Sequence, residues 1–234
     1  MKGKIIGRIA ASTLLLFTLS APAQTQSAEI EKLQSLADQV KTALASSDLD
    51  RANELGVQLS LGISKQRQAI QPTPAQKLDN AIHSLPPDGL PRFYGLKGAA
   101  LAAFDAGDVN SAENYANELL ADAALYSKNW NYGNAIFAGN MVLGRVALRR
   151  DKNVTLAKQF LIASGKTPGS PQLNSFGPNM SLAKDLLAAG ERDTVLEFFA
   201  ECGLFWSKHL AKLNQWTATI KGGGDPDFGA NLLY

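Results

Sequence analysis

The chain has 234 residues, with 23 Lys or Arg against 21 Asp or Glu, so its formal net charge is only +2. Nucleic-acid binding needs a clustered positive surface, and this balance gives no reason to expect a nucleic-acid partner. The single cysteine, Cys202, excludes an intramolecular disulfide. We interpret Cys202 as a buried apolar side chain because it lies within the aromatic run 198–206. An exposed thiol that pairs two chains is the alternative.

Residues 1–23 have the composition of a secretory signal peptide. A basic start precedes an apolar stretch over 9–19, and Ala21-Pro22-Ala23 supplies the small residues of a cleavage site. A membrane anchor is the alternative, but the apolar stretch falls short of the about 20 residues that a bilayer span needs. The leader therefore predicts a periplasmic or secreted protein without a membrane span in its mature chain.

Residues 24–66 predict an N-terminal helical hairpin. Apolar side chains recur every three or four positions in two successive segments, which is the spacing of a single helix face. The first segment carries Ile30, Leu33, Leu36, Val40 and Leu44, and the second carries Ala52, Leu55, Leu59 and Ile63. Ser47-Asp48 separates the two segments, and we expect the chain to turn there.

Prolines interrupt the helical pattern over residues 67–91. Pro72, Pro74 and the proline-containing run 86–91 lack amide hydrogens that a helix interior needs. The spacing between these prolines predicts a short helix over about 74–85. We interpret 67–91 as a connector or hinge between the N-terminal hairpin and a main helical array over 92–220.

The array repeats one pattern, in which an Ala-rich apolar run stops at small or polar residues and a second run starts at once. The clearest example is 101–112, where the stop is Gly107-Asp108. Related patterns surround Asp151 and Gly190. Each predicts a helix, a tight turn and an antiparallel helix, so the chain is expected to be a stack of helical hairpins. Glycines end the last helix, and 221–234 is expected to be an irregular tail.

The turn 104–108 and the alanine that follows it resemble a tetratricopeptide repeat, with Ala100 and Ala112 at that family's two small positions. The pair around Gly144 and Ala157 is similar but has one extra residue between its helices. The resemblance implies an all-α fold, in which antiparallel helical hairpins stack as a short tetratricopeptide-like α-solenoid after a cleaved signal peptide. In such a stack the first helices of the hairpins line a concave wall.

Residues 165–178 form a long connection rich in Gly, Pro, Ser and Asn. Structureless connections of this length are uncommon in compact arrays. We therefore predict that this one folds back over the helices, with Leu173 and Phe176 as apolar anchors. Asn153 and Asn179 each begin an Asn-x-Ser/Thr sequon, and we interpret both as helix N-caps.

Motifs of catalysis are not complete in this sequence. Gly165-Lys166-Thr167 lacks the first glycine of a phosphate-binding loop, because Phe160 stands in its place. Asp227-Phe228-Gly229 matches a kinase tripeptide without other kinase elements, in a tail that we expect to be loose. Two histidines and one cysteine are too few for a typical metal site. The sequence therefore predicts a non-enzymatic protein with no catalytic residues, no metal and no cofactor.

Amide and aromatic side chains concentrate in 129–140 and 174–179. Amides both donate and accept hydrogen bonds, and rings supply apolar contact at little entropic cost, which suits ligand recognition. The candidate binding residues are Trp130, Tyr132, Asn134, Asn140, Asn174, Phe176 and Asn179. Three of them, Tyr132, Asn134 and Asn140, fall on a first helix of the stack. A purely structural role in tying the long connection to the helices is the alternative.

These features predict a non-catalytic scaffold of the bacterial cell envelope that binds a protein or peptide along the concave face. An envelope glycan-binding or glycan-processing module is the alternative. A third possibility is a structural subunit of an envelope assembly.

Overall fold

The structure, a computed structural model, describes residues 23–69 and 71–233. The signal peptide predicted for residues 1–23 lies outside this range except for its last position. All regular elements in the described ranges are helical. None of the helices there combines the length and hydrophobicity that crossing a bilayer requires. The chain divides into two compact units, Met1–Pro72 and Thr73–Tyr234.

The first unit contains two antiparallel helices, α1 (Ala23–Ala45) and α2 (Leu49–Ala69), as the apolar spacing predicts. They pack on each other through a small core. The side chains buried there are Ala43, Ala52 and Leu55, with Leu36 and Val40 partly buried beside them.

The described part of the second unit has nine α-helices. They are α3 (Pro74–His83), α4 (Gly89–Ala106), α5 (Val109–Leu125), α6 (Tyr132–Arg149), α7 (Val154–Gly165), α8 (Pro171–Phe176), α9 (Ser181–Ala188), α10 (Arg192–Phe205) and α11 (Leu210–Lys221). Helix α4 packs on α5, α5 packs on α6, and α6 packs on α7, while α4 also contacts α6. Helix α9 contacts α6, α7 and α10, and α10 contacts α7 and α11. The prediction of an all-α stack of helical hairpins is confirmed.

The boundary between the units falls inside the predicted connector. Thr73 and Gln76 form a capping box at the start of α3, and α3 packs on α4 within the second unit. Helix α4 begins at Gly89, earlier than the predicted 92. Pro91 lies in its first turn, where backbone amides have no partner inside the helix, so this proline does not delay the helix.

The four hairpin turns share one backbone geometry. In each, the residue two positions before the second helix has a positive φ: Ser47 (59°), Gly107 (85°), Lys152 (53°) and Gly190 (87°). The amide of the next residue then donates to a carbonyl near the end of the first helix. Asp108 N reaches Ala103 O five residues back, whereas Asn153 N reaches Ala147 O six residues back. The extra residue predicted in the α6–α7 turn is therefore present.

Helix α6 is the centre of the second unit. Most of its residues are buried, on all sides of the helix. Gly139 and Gly144 leave no room for a Cβ, because Leu120 of α5 and Leu182 of α9 occupy the space. The main core continues through α7, α9, α10 and α11 and includes Cys202, which is fully buried as predicted.

The connection 165–178 is not structureless, because it contains α8. Leu173 is buried as predicted, but Phe176 is 63% exposed and is not the second apolar anchor. Polar contacts join the segment to α6: Thr167 Oγ1 donates to Gly133 O at 2.8 Å, and Ser170 Oγ donates to Asn134 Oδ1 at 2.6 Å. The segment is therefore held by hydrogen bonds to α6 as well as by the burial of Leu173 in the main core.

The tail after Lys221 is packed against the helices and is not loose. Phe228 is buried, with its ring edge-on to Trp216 at a centroid distance of 5.0 Å. Asn231 is buried as well, and its amide Nδ2 donates to Pro178 O at 3.0 Å. A short 3-10 helix, Gly229–Leu232, makes this docking possible. Phe228 of the kinase-like tripeptide is thus part of the core packing.

Candidate functional site

Asn134 is the centre of a buried polar network rather than part of an open surface. It is only 3% exposed, and its Oδ1 accepts from Ser170 Oγ at 2.6 Å. Its Nδ2 donates to Asn131 Oδ1 at 2.9 Å and also to Gln172 Oε1. The network joins α6 to the segment before α8 and to the start of α8, so Asn134 performs the tying role that was the alternative interpretation.

Asn174 and Asn179 also bond to nearby backbone. Asn174 Oδ1 accepts from Ser170 N at 3.3 Å, and Asn179 Oδ1 accepts from Ser181 N at 2.8 Å. Asn179 is nearly buried and stands one residue before the N-cap of α9, which is Met180. Asn153 is the N-cap of α7, as predicted, and accepts from Leu156 N.

Asn140 and Tyr132 are half-buried on α6. Asn140 Nδ2 donates to Ile136 O at 2.8 Å on its own helix, and Tyr132 packs against the cluster around Phe93. Asn134 and Asn140 are six positions apart, so their side chains leave the helix in directions about 120° apart. They do not line one face of α6.

Trp130 presents an exposed ring that is held in place by its neighbours. Its ring stacks on Tyr94 of α4 at a centroid distance of 5.6 Å, and the two side chains are 52% and 40% exposed. Asn129 Nδ2 donates to the Tyr94 hydroxyl at 2.9 Å, while Asn129 Oδ1 accepts from Asn131 N. We call Tyr94 and Trp130 the aromatic platform.

The aromatic platform continues into a row of side chains on α4. Tyr94, Lys97, Leu101 and Phe104, here called the α4 stripe, are spaced by three, four and three residues and so share one helix face. Phe104 is buried in an apolar cluster of α4, α5 and α6, and two guanidinium groups of α6 lie over its ring, Arg145 at 4.3 Å and Arg149 at 3.9 Å. The α4 stripe therefore runs from an aromatic end to a cationic end.

The cations of this region differ in their partners. Arg145 Nε pairs with Asp185 Oδ2 of α9 at 3.0 Å, whereas Arg149 Nη1 donates to the backbone Phe104 O at 2.8 Å. Lys97 is half-buried and has neither an ion pair nor a hydrogen bond to any residue that the structure describes. Burial lowers the pKa of the Lys97 ammonium, because desolvation disfavours its charged form.

Acidic residues of α5 form a separate cluster with Arg92. Two of the guanidinium contacts of Arg92 go to Glu118, one of them between Nη2 and Oε2 at 2.9 Å, and its Nη1 donates to Pro86 O at 3.0 Å. Burial and the nearby Glu118 carboxylate raise the pKa of Asp122. The two carboxylates are neighbours on one helix and Glu118 is held by Arg92, so this cluster ties α5 to α4. No group of three or more described His, Cys, Asp or Glu side chains is arranged to hold a metal ion.

A depression of about 400 Å³ lies between α7 and α10 in the second unit. It is shallow and open, and Lys158 at its edge is paired with Glu191. None of the predicted binding residues lines it. The aromatic platform and the α4 stripe lie outside this depression.

Trp130 is the one residue of this surface that belongs to the predicted candidates, although the 94–97–101–104 spacing is visible in the sequence. The residues absent from the prediction are Tyr94, Lys97, Leu101, Phe104, Arg145 and Arg149. The predicted amides lie instead on α6 and in the following connection, where Asn134, Asn174 and Asn179 make structural hydrogen bonds. Comparisons of the chain with protein-family models, with curated proteins and with solved structures found no match.

Proposed function

We propose that the chain is a non-catalytic scaffold that binds a protein or peptide segment in the bacterial cell envelope. The observation that carries the proposal is the aromatic platform. An exposed ring that moves loses contact area with its ligand. Tyr94 and Trp130 are instead stacked on each other, and the side-chain amide of Asn129 fixes the Tyr94 hydroxyl. Rigid aromatic anchors are the residues that contribute most to protein interfaces.

The fold supports the same function. Helical stacks present extended surfaces to macromolecular ligands, and α4, α6 and α9 are connected side by side through Phe104, Arg145 and Asp185. The envelope location rests on the leader in the sequence, with its basic start, apolar stretch and small-residue site.

Affinity capture from cell envelopes, followed by mass spectrometry, tests this function. We expect one dominant protein partner, whose recovery falls at least about tenfold when Tyr94 and Trp130 are both replaced by Ala. Leu125→Ala is the matched control, because Leu125 is a 76% exposed apolar side chain at the end of α5. A partner that the double variant retains in full would contradict the proposal.

A glycan-binding module is the second candidate, because sugar rings also stack on exposed aromatic faces such as that of Trp130. Thermal unfolding with added muropeptides or oligosaccharides distinguishes the two, since a ligand that binds the native state raises the melting temperature. Stabilisation by a glycan that Trp130→Ala abolishes, in the absence of a protein partner, would favour the second candidate.

A further inference from the structure

Helix α2 carries a second row of apolar side chains besides the residues that pack on α1. Ala52 and Leu55 are buried in the core that α2 shares with α1. Leu49, Val57 and Leu61, by contrast, are 67%, 53% and 59% exposed. They fall within an arc of about 120° around the helix axis, and we call them the α2 row. The described residues of the chain leave this apolar face largely uncovered.

The first unit buries little apolar area of its own. Its described part is a pair of helices, and the apolar side chains buried between them are Ala43, Ala52 and Leu55. Small helical units commonly gain stability by association, because a short hairpin cannot bury enough apolar area alone. Covering the α2 row would add three large side chains to the buried area.

Charge is distributed unequally along this hairpin. Four acidic and two basic residues give the half nearer the turn a net charge of −2: Asp38, Lys41, Asp48, Asp50, Arg51 and Glu54. Two acidic and three basic residues give the opposite half a net charge of +1: Glu29, Glu31, Lys32, Lys65 and Arg67. These are all the Asp, Glu, Lys and Arg residues of 23–69. The turn half is therefore negative and the opposite half positive.

Ion pairs within the hairpin do not remove this contrast. Lys41 pairs with Asp38 and Arg51 pairs with Glu54, so both basic residues of the turn half are already compensated. The excess negative charge then lies on Asp48 and Asp50, at the start of α2. On α2 itself the basic residues without a nearby acidic neighbour are at the other end, at 65 and 67.

We propose that two copies of the chain associate through the α2 row, with their α2 helices antiparallel about a twofold axis. Positions 49, 53, 57 and 61 are symmetric about their midpoint, so this pairing brings Leu49 of each copy against Leu61 of the other. Val57 of each copy then packs beside Asn53 of the other. The interface goes beyond the proposed function, because it lies on α2 and not on the aromatic platform.

Charge complementarity is the reason for choosing a second copy as the occupant. Antiparallel pairing places the negative turn half of each hairpin beside the positive half of the other copy, whereas parallel pairing would bring like charges together. The face therefore matches its own copy both in the order of its apolar side chains and in the charges at its ends.

Sedimentation velocity of the full chain over a range of concentrations tests the proposal. We expect a monomer–dimer equilibrium with a dissociation constant in the micromolar range, because a single helix face buries less area than a standard interface. Higher salt should weaken the dimer, since the charges at its ends are exposed. A chain that stays monomeric up to about 1 mM would overturn the proposal.

Two substitutions at one position locate the interface. Val57→Glu and Val57→Lys both favour a helix at least as well as valine does, but each brings two like charges close together in the dimer. Each variant alone should raise the dissociation constant at least about tenfold. An equimolar mixture of the two should associate again, because a carboxylate of one copy then meets an ammonium group of the other. Leu125→Glu is the control, because Leu125 is a 76% exposed leucine of α5 in the second unit.

The results of these variants decide the proposal. A dimer that neither Val57 variant weakens, or a dimer that Leu125→Glu weakens equally, would overturn it. A mixture that stays monomeric, although each variant has the circular dichroism spectrum of the wild type, would overturn the antiparallel pairing.

Hydrogen exchange on the wild-type chain gives a test that needs no substitution. Amides of α2 should exchange more slowly as the concentration rises through the range in which the dimer forms, because association stabilises the hairpin. Amides of α10, in the second unit, should exchange at an unchanged rate. Exchange in α2 that is independent of concentration across that range would overturn the proposal.

Discussion

Comparison of Gly190 with Gly98 separates the effect of the backbone angle φ on stability from the effect of side-chain packing. Gly190 follows α9 with φ of 87°, whereas Gly98 lies inside α4 with ordinary helical geometry, and an added Cβ at either position meets no described atom within 4 Å. A residue with a side chain is disfavoured at positive φ, and glycine is disfavoured inside a helix.

We predict opposite results for the same substitution at these two positions. Gly190→Ala should lower the free energy of unfolding by about 1 kcal/mol, because alanine is strained at positive φ. Gly98→Ala should raise it by about 0.5–1 kcal/mol, because alanine favours the helix. Urea unfolding followed by circular dichroism measures both, and a loss of stability at Gly98 would contradict the prediction.

Cys202 should make stability depend on alkaline pH. Burial raises the pKa of its thiol well above 9.0, whereas the unfolded chain releases this proton near pH 8.5. Above that pH the folded state holds a proton that the unfolded state lacks, so the free energy of unfolding falls by up to about 1.4 kcal/mol per pH unit.

Parallel unfolding experiments from pH 7 to 10 on wild type and Cys202→Ala check this prediction, because the variant removes the titrating group. As pH rises, the free energy of unfolding of Cys202→Ala should increase relative to that of the wild type. A difference that is constant across the range would show that the thiol ionises equally in both states.

At the scale of elements, Asn134 holds α6 to the segment that leads into α8. Asn134→Ala should cost about 2–3 kcal/mol, because it leaves buried polar partners such as Ser170 without their bonds. Asn134→Asp should be equally harmful, since an oxygen replaces the donor that faces Asn131 Oδ1. Asn117→Ala, on an exposed position of α5, is the control and should change stability little.

Urea unfolding measures the stabilities, and hydrogen exchange over 166–177 reports whether the segment has been released. The Asn134 variants should increase exchange there while leaving α4 protected. If the ligand affinity of the folded protein fell although exchange was unchanged, Asn134 would have a binding role instead.

Helices and turns could be predicted from the sequence because their signals are local. Apolar spacing defined the first hairpin, and Gly107-Asp108 defined a turn whose hydrogen bonds are all within a few residues. The hydrogen-bond partner of a side-chain amide, by contrast, is not determined by residues that are near it in the sequence. Asn134 and Asn140 have the same side chain on the same helix, yet their partners differ because a segment more than thirty residues away reaches only one of them.

The same difference between local and long-range contacts explains why the predictions for Phe176 and for the tail with Phe228 were wrong. Phe176 and Phe228 both follow loop-like sequences, but Phe228 is buried and Phe176 is exposed. Phe228 is buried because it packs on Phe199 and Trp216, which distant parts of the chain hold in position. Composition and spacing carry no information about that arrangement.

At the scale of the whole molecule, the two units differ in how much each buries. The described part of the first unit has one cluster of three buried apolar side chains, whereas the second has three larger clusters that together extend over α4 to α11. Free energy of unfolding increases with buried apolar area, so local opening should be easier in the first unit.

Hydrogen exchange with mass spectrometry tests this difference. We expect amides of α1 and α2 to exchange at least about a hundredfold faster than those of α6 and α10, which corresponds to about 3 kcal/mol of opening free energy. Similar protection in α1 and α6 would contradict the prediction.

The docked tail has a consequence for how such an array can change in length. Phe228 and Asn231 occupy the side of α10 and α11 on which a further hairpin would have to stack. A duplicated hairpin inserted between existing pairs would meet surfaces that already accept helices. A hairpin added after α11 would first have to displace the tail. Phe228 and Asn231 therefore oppose extension of the array at this end.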